Sequence, residues 1–99
     1  MSIVIRRVVV RGRVQGVGYR AWTEDSAILN DLDGWVRNRS DGTVEALFAG
    51  VPEAVNGMIE VCRHGPGGAR VEAVDVHDAG PTELALRPDG GGFTVLPTT

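Results

Sequence analysis

A glycine-rich loop followed by an arginine is the part of this chain whose residue types and spacing could do chemistry. It reads Gly-Arg-Val-Gln-Gly-Val-Gly-Tyr-Arg over residues 12–20. Glycines at this spacing let the backbone curl so that successive N–H groups point inward and form a concave anion site. The helix expected after the loop adds partial positive charge, and the guanidinium of Arg20 can bind two oxygens of one phosphate. The loop therefore predicts a site for a phosphate-like anion.

The distribution of charge supports an anion site in the first part of the chain. All ten basic residues are arginines, and the formal net charge is −3. Seven arginines against four acids give residues 1–39 a charge of +3, whereas three arginines against nine acids give residues 40–99 a charge of −6. The basic part carries the glycine loop, as an anion-binding site requires. Because the whole chain is acidic, we expect no nucleic-acid partner.

Length and composition indicate one domain, residues 1–99, of ordinary globular character. The hydrophobic fraction is 42% and the charged fraction 23%, as in soluble proteins. No apolar run approaches the roughly 20 residues of a membrane helix, and the first residues lack the pattern of a secretory signal. A single cysteine, Cys62, excludes an internal disulfide and a multi-cysteine metal site. We therefore expect a cytoplasmic protein with no membrane partner.

The elements that must position the loop follow from periodicity and turn signals. A buried strand precedes the loop and a helix follows it, and a hairpin is centred on Ser40-Asp41-Gly42. Strands are predicted at Ile3–Arg11, 34–39, 43–48, Arg70–Asp78 and 93–96, and helices at 19–30 and from Pro52 to just before Gly65-Pro66. The segment 83–86 is a candidate additional strand, and 88–92 is predicted to be a turn.

This order of elements predicts an α+β fold. Two helices for four or five strands favour an antiparallel sheet with both helices on one face, a ferredoxin-like sandwich of βαββαβ order. The residues that we expect to face the core in the first helix are Trp22, Ser26 and Leu29, flanked by Ala21 and Ile28. Those of the second helix are Val55, Met58, Ile59 and Cys62. The aromatic side chains Tyr19, Trp22 and Trp35 are predicted to be core.

Two motifs at a particular separation resemble the acylphosphatase family. The loop of residues 12–20 is followed eighteen residues after Arg20 by Asn38, within Gly-Trp-Val-Arg-Asn, and then by Asp41-Gly42. The resemblance covers residues 8–48 closely and the remainder by length and element order. It implies a ferredoxin-like fold and a small hydrolase of acyl phosphates that releases inorganic phosphate without a metal or organic cofactor. One departure is Asn30-Asp31 at the end of the first helix, which we interpret as a changed helix cap.

The resemblance also implies the roles of individual residues. Arg20 is expected to bind the phosphate, and Asn38 to position the attacking water. The remaining expected substrate-binding residues form the loop: Gly12, Arg13, Val14, Gln15, Gly16, Val17, Gly18 and Tyr19. We expect a monomer, although no feature of the sequence determines the oligomeric state.

Physical chemistry independently suits such a site. The leaving group of an acyl phosphate is a carboxylate, which needs no proton from the enzyme. Phosphoryl transfer requires mainly positioning and stabilisation of charge on the equatorial oxygens, which loop amides and Arg20 can supply. Asn38 is neutral and cannot act as a strong base, but its oxygen can accept a hydrogen bond from water. A phosphate oxygen of the substrate is then the expected proton acceptor.

Other interpretations of the same residues remain. One is a non-catalytic module that binds phosphate or phosphoesters, and another is an RNA-binding module, which requires exposed aromatic residues where Val36 and Val44 stand. Action on carbamoyl phosphate is a third. Residues 16–21 also fit a dinucleotide-binding fingerprint, but the chain is too short for a doubly wound domain. No role is assigned to His64 or His77.

Overall fold

The computed structural model describes residues 2–88 and 91–99, which form a five-stranded sheet with helices packed against it. The strands lie side by side in the order β4-β1-β3-β2-β5. In chain order the elements are β1 (Val4–Arg13), α1 (Tyr19–Leu29), β2 (Asp33–Asn38), β3 (Val44–Gly50), α2 (Pro52–Cys62), β4 (Arg70–Asp78), α3 (Pro81–Leu84) and β5 (Phe93–Val95).

The pairing of the strands confirms the predicted ferredoxin-like sandwich and adds one parallel pair. β1 lies between β3 and β4, antiparallel to both, and β2 is antiparallel to β3. β5, in contrast, pairs parallel with β2. The chain leaves β4 at one edge of the sheet, crosses to the opposite edge before β5 begins, and there runs in the same direction as β2. The sheet is therefore mixed, and not wholly antiparallel as expected.

The main core lies between the sheet and the helices α1 and α2. Alternate residues of β1 and β3 face it, including Val8, Val10, Val44, Ala46 and Phe48, because successive side chains of a strand point to opposite faces. The predicted apolar face of α2 is confirmed, with Val55, Met58, Ile59 and Cys62 all buried.

The buried face of α1 differs from the predicted one. It consists of Tyr19, Thr23 and Ala27, spaced four residues apart, whereas Leu29 is 84% exposed and Ile28 56% exposed. Thr23 can be buried because its Oγ1 donates to the backbone oxygen of Tyr19 at 2.8 Å, which satisfies the hydroxyl inside the core. The helix is consequently rotated so that Tyr19, Thr23 and Ala27 face the core in place of Leu29 and Ile28.

The aromatic residues nevertheless lie where they were expected. Tyr19 and Trp35 are both 1% exposed. Trp22 is half-buried against the main core and contacts the Tyr19 ring edge-on, with the ring centroids 5.3 Å apart. α1 ends at Leu29 with Asn30 as its C-cap, and the next residue, Asp31, adopts a positive φ of 55°, in line with the tolerance of aspartate for left-handed backbone.

A second, smaller core covers the opposite face of the sheet. Trp35, Leu47 and Leu96 are buried there, with Leu84 of α3 packed against them. Trp35 Nε1 donates to the backbone oxygen of Glu83 at 2.9 Å. The strand predicted over 83–86 is therefore wrong, because this region begins with the helix α3. Pro81 occupies its first turn, and the Glu83 carboxylate accepts from the N–H of Gly80 at 3.3 Å, an arrangement that favours a helix start.

The first strand runs two residues further than predicted, into the start of the glycine loop. Its pairing with β4 shifts register between Arg11 and Gly12 and then continues to Arg13 opposite Arg70. Gly12 has a φ of 124°, and an added Cβ would collide with the backbone oxygen of Arg70, so this bulge requires glycine. The predicted turn at 88–92 falls partly outside the described residues. No helix in the described ranges is long and apolar enough to span a bilayer.

Candidate active site

The loop between β1 and α1 has the backbone conformation of an anion-binding turn. Gly16 and Gly18 have φ values of 73° and 81°, and an added Cβ at either would meet nothing within 4 Å. Glycine is therefore needed at these two positions because of the positive φ, and not because a side chain would lack room. The N–H groups of residues 15–18 donate to no other described residue, so they remain available to a ligand. Alternating backbone angles of this kind form concave anion sites.

The start of α1 adds further unpaired donors. Gly18 is the N-cap and supplies no side-chain cap, and the first turn contains no acidic residue. The first N–H groups of a helix have no partner within the helix, and its N-terminus carries partial positive charge. Both features favour an anion at this end of α1.

Arg20 lies in the first turn of α1, a position that is unfavourable for a cation unless an anion joins it. The side chains of three described arginines, Arg13, Arg20 and Arg70, form no hydrogen bond or ion pair within residues 2–88 and 91–99. Arg13 and Arg70 are exposed, whereas Arg20 is half-buried and lines a cavity. A half-buried guanidinium without a partner is suited to bind an anionic ligand.

Asn38 ends β2, and its side chain carries an unpartnered acceptor. Its Oδ1 is the one buried side-chain oxygen or nitrogen without a hydrogen bond in the part of the chain that the structure describes. The strand is secured here through its backbone, since the backbone oxygen of Asn38 accepts from the N–H of Thr99 at 3.1 Å. A buried acceptor left unpaired costs about 1–3 kcal/mol, so its presence next to a cavity points to a donor supplied by a ligand or water.

One cavity of about 370 Å³ brings the loop, α1, β2 and β5 together. Six of the predicted site residues line it, namely Val14, Gly16, Gly18, Tyr19, Arg20 and Asn38. Arg20 and Asn38 are thus on the same side of the sheet, although eighteen residues separate them in the chain. The remaining lining residues are Ala21, Glu24 and Val95.

Four predicted substrate-binding residues do not line the cavity: Gly12, Arg13, Gln15 and Val17. Gly12 forms the bulge in β1, Arg13 is exposed, and Val17 packs against the main core. Gln15 Nε2 donates to the backbone oxygens of Arg39 and Thr43, both at 2.8 Å. Its side chain therefore joins the loop to the hairpin that carries Asn38. Only the backbone atoms of these four residues could therefore contribute to an anion site in the cavity.

Tyr19 and Cys62 are held in their neutral forms and are not nucleophiles. Tyr19 Oη donates to the backbone oxygen of Cys62 at 2.7 Å, and burial raises the pKa of the phenol well above its usual range. Burial likewise raises the pKa of the Cys62 thiol to about 12, so no thiolate forms near neutral pH. In the described ranges no three His, Cys, Asp or Glu residues are grouped to hold a metal ion; metal independence remains a prediction.

Comparison with known proteins identifies the family that shares this loop and fold. The family model Acylphosphatase matches residues 6–87. A protein of Bradyrhizobium diazoefficiens named Acylphosphatase is 58% identical over 98 residues, which cover 99% of each chain. The chain belongs to the acylphosphatase family.

Further acylphosphatases agree over the full length. One from Nitrobacter hamburgensis is 56% identical over 99 residues and covers 99% of each chain. The crystal structure of acylphosphatase from Bacillus subtilis has a TM-score of 0.82 at 30% identity, covering 96% of this chain and 99% of that one. The family membership predicted from the two motifs is confirmed. The protein is an enzyme of this family, a hydrolase of acyl phosphates.

Sequence reasoning did not identify three residues that line the acylphosphatase cavity. Glu24 could have been found, because it follows Arg20 by four residues and such residues share a helix face. Ala21 follows Arg20 directly, but no local sequence pattern indicates that it lines the cavity. Val95 lies on β5, and its presence here depends on the parallel pairing of β5 with β2, which the sequence did not reveal.

Proposed function

We propose that this acylphosphatase cleaves the carboxyl–phosphate bond of small acyl phosphates by direct attack of water on phosphorus. The observation that carries the proposal is the presence of an unpaired guanidinium, Arg20, and an unpaired buried acceptor, Asn38 Oδ1, on residues that line one cavity. The first is suited to an anion and the second to a water. Together with free loop amides, they match the parts that phosphoryl transfer requires.

The phosphoryl group would be held at the start of α1. The N–H groups of the loop and the guanidinium of Arg20 donate to its oxygens, where negative charge is spread in the transition state. Because these donors are fixed by the fold before substrate binds, they need no reorganisation during reaction. Loss of one such donor typically lowers the rate on the order of a hundredfold or more.

The attacking water would be oriented by Asn38. Its Oδ1 accepts a hydrogen bond from the water and so holds the water oxygen toward phosphorus, opposite the leaving carboxylate. The new P–O bond forms as the bond from phosphorus to the acyl oxygen breaks. The water proton passes to a phosphate oxygen, and the acyl group leaves as a carboxylate without needing a proton. The products are a carboxylate and inorganic phosphate.

The test is hydrolysis of benzoyl phosphate in the presence of a chelator. We expect turnover by the wild type, competitive inhibition by inorganic phosphate, and a rate lower on the order of a hundredfold or more for Arg20→Ala and Asn38→Ala. The matched controls are Arg70→Ala and Asn56→Ala, which change exposed residues outside the cavity and should retain activity. In ¹⁸O-labelled water, the label should enter phosphate and not benzoate.

Several outcomes would contradict the proposal. Wild-type rates in Arg20→Ala and Asn38→Ala would show that these residues do not have the assigned roles. The ¹⁸O label in benzoate would mean that water attacks the carbonyl carbon and not phosphorus. Loss of activity with chelator would contradict metal independence. Saturable phosphate binding without turnover would favour the non-catalytic module, and retention of single-stranded RNA on a filter would favour the RNA-binding alternative.

A further inference from the structure

An acidic side chain lines the cavity that is proposed to bind an anion. Glu24 lies one helical turn after Arg20 on α1 and is half-buried. Its carboxylate forms no hydrogen bond or ion pair with any residue in the described ranges. A carboxylate here repels a phosphate dianion and so weakens the binding of every substrate. A favourable effect of this carboxylate is therefore to be sought at the acyl end of the substrate, away from the phosphate.

We propose that Glu24 selects the acyl group by charge. It disfavours acyl groups that carry a second negative charge and favours neutral or cationic ones. The inference rests on the proposed function, because it assigns the phosphate to the loop and Arg20. It adds the chemical class of the acyl group that this cavity accepts.

The geometry of α1 separates the two ends of the substrate. Four residues of helix advance about 6 Å along the axis, so Glu24 lies one turn beyond the N–H groups and Arg20 at the start of α1. The phosphate occupies the first turn, where those donors are. Apart from the six predicted site residues, the cavity wall consists of Ala21, Glu24 and Val95. An acyl group that extends along this wall meets two small or apolar side chains and one carboxylate.

The same residues also define an alternative role, in which Glu24 orients Arg20. Residues four apart on a helix can pair, but no ion pair joins Arg20 and Glu24 within 4 Å among the described contacts. A residue that orients Arg20 acts on the phosphate end, and its loss would slow all acyl phosphates alike. A residue that selects the acyl group changes the ratio between them. This difference separates the two roles.

The experiment compares three acyl phosphates of similar shape and different charge. They are benzoyl phosphate, 4-carboxybenzoyl phosphate and 4-(trimethylammonio)benzoyl phosphate, each measured as kcat/KM for the wild type and Glu24→Gln. Each kcat/KM is divided by that for benzoyl phosphate. This ratio should be about tenfold higher for the 4-carboxy substrate in Glu24→Gln than in the wild type, and it should be lower for the cationic substrate. Because each ratio is compared between two enzymes, differences in intrinsic reactivity cancel. Both changes should shrink at about 1 M salt, where charges are strongly screened.

Two further variants complete the design. Asp25→Asn removes the same charge from the next residue of α1, which is exposed and does not line the cavity, so it should leave the ratios within about twofold of the wild type. Glu24→Asp keeps the charge and should retain most of the discrimination. Thermal unfolding of each variant identifies any loss of folded protein, and the ratios are unaffected by the fraction of active enzyme.

The results distinguish this inference from the function on which it rests. Turnover of benzoyl phosphate with unchanged ratios in Glu24→Gln, or an equal loss on all three substrates, would overturn the role of Glu24 alone. An equal change of ratio in Asp25→Asn would overturn it as well, since the cause would then be the overall field of the protein. Absence of turnover of all three by the wild type would overturn the proposed function and this inference together.

Discussion

The side-chain amide of Gln15 donates a 2.8 Å hydrogen bond to the backbone oxygen of Arg39, the residue that follows Asn38. A second bond of equal length reaches the backbone oxygen of Thr43 across the hairpin. One side chain of the glycine loop therefore contacts both ends of the turn that joins β2 and β3. We expect these two hydrogen bonds to set the distance between the loop that is proposed to bind phosphate and Asn38, which is proposed to orient water.

Replacement of Gln15 should uncouple the loop from the hairpin. Gln15→Met keeps the shape of the side chain but removes both hydrogen bonds, while each backbone oxygen keeps one backbone donor, Gly42 N–H for Arg39 and Arg39 N–H for Thr43. The free energy of unfolding should therefore fall by about 0.5–1.5 kcal/mol for each bond lost. Misplacement of a reacting group by about 1 Å can cost on the order of a hundredfold in rate, so kcat on benzoyl phosphate should fall more than phosphate affinity. Gln15→Glu should be more harmful, because a carboxylate repels the two oxygens. A wild-type value of kcat in Gln15→Met would show that these two hydrogen bonds do not position the reacting groups.

The shape of the Arg20 side chain should matter as well as its charge. Arg20→Lys keeps the positive charge but loses the planar fork that binds two phosphate oxygens at once. We expect kcat/KM for benzoyl phosphate to fall on the order of a hundredfold and inhibition by phosphate to weaken. Arg70→Lys, at the exposed start of β4, is the matched control and should behave as the wild type. Equal activity of Arg20→Lys and the wild type would mean that charge alone suffices.

Two glycine-to-alanine replacements should have opposite effects on stability. Gly18→Ala forces a Cβ into left-handed backbone at φ 81°, at a cost of roughly 1–2 kcal/mol, and should also weaken phosphate binding. Gly57→Ala lies within α2, has an exposed position and meets nothing within 4 Å. It should stabilise the protein by about 0.5–1 kcal/mol and leave activity unchanged. Urea unfolding measures both; a stabilising Gly18→Ala would contradict the assigned loop conformation.

Stability should decline in alkaline solution because of Cys62. Its thiol pKa rises from 9.0 to about 12 on folding, chiefly through burial. Above about pH 9 the unfolded thiol loses its proton while the folded thiol keeps it, so the unfolded state is favoured as pH rises toward 12. The slope in this window is about 1.4 kcal/mol per pH unit. Tyr19, whose pKa is also raised by burial, should add to the decline above pH 10.

Cys62→Ala isolates the thiol contribution. In urea unfolding at pH 7, 9 and 10, the stability of this variant should fall less steeply between pH 9 and 10 than that of the wild type. The packing lost with the sulfur lowers stability by the same amount at every pH and does not affect the slope. Parallel curves for the two proteins would show that the thiol has no part in the alkaline decline.

Local patterns determined several features of this protein. The spacing of the glycines and Arg20 indicated the loop, Asp41-Gly42 indicated the hairpin after Asn38, and proline and glycine signals bounded α2. These features depend on backbone preferences of a few neighbouring residues, which the sequence carries directly. The side-chain period of two in a strand likewise puts Val44, Ala46 and Phe48 of β3 on one face of the sheet, and that face contacts the main core.

Tertiary structure alone decided the rotation of α1, the helix α3 and the position of Val95. The sequence favoured burial of Leu29, yet Tyr19, Thr23 and Ala27 are buried. The two polar side chains of this face can be buried because each hydroxyl donates to a backbone oxygen, Tyr19 to Cys62 and Thr23 to Tyr19. Helix α3 packs on the face of the sheet that carries Trp35, whose indole donates to the backbone oxygen of Glu83. Val95 reaches the cavity only because β5 crosses to the far edge and pairs with β2. Such contacts join residues far apart in the chain, so no local pattern encodes them.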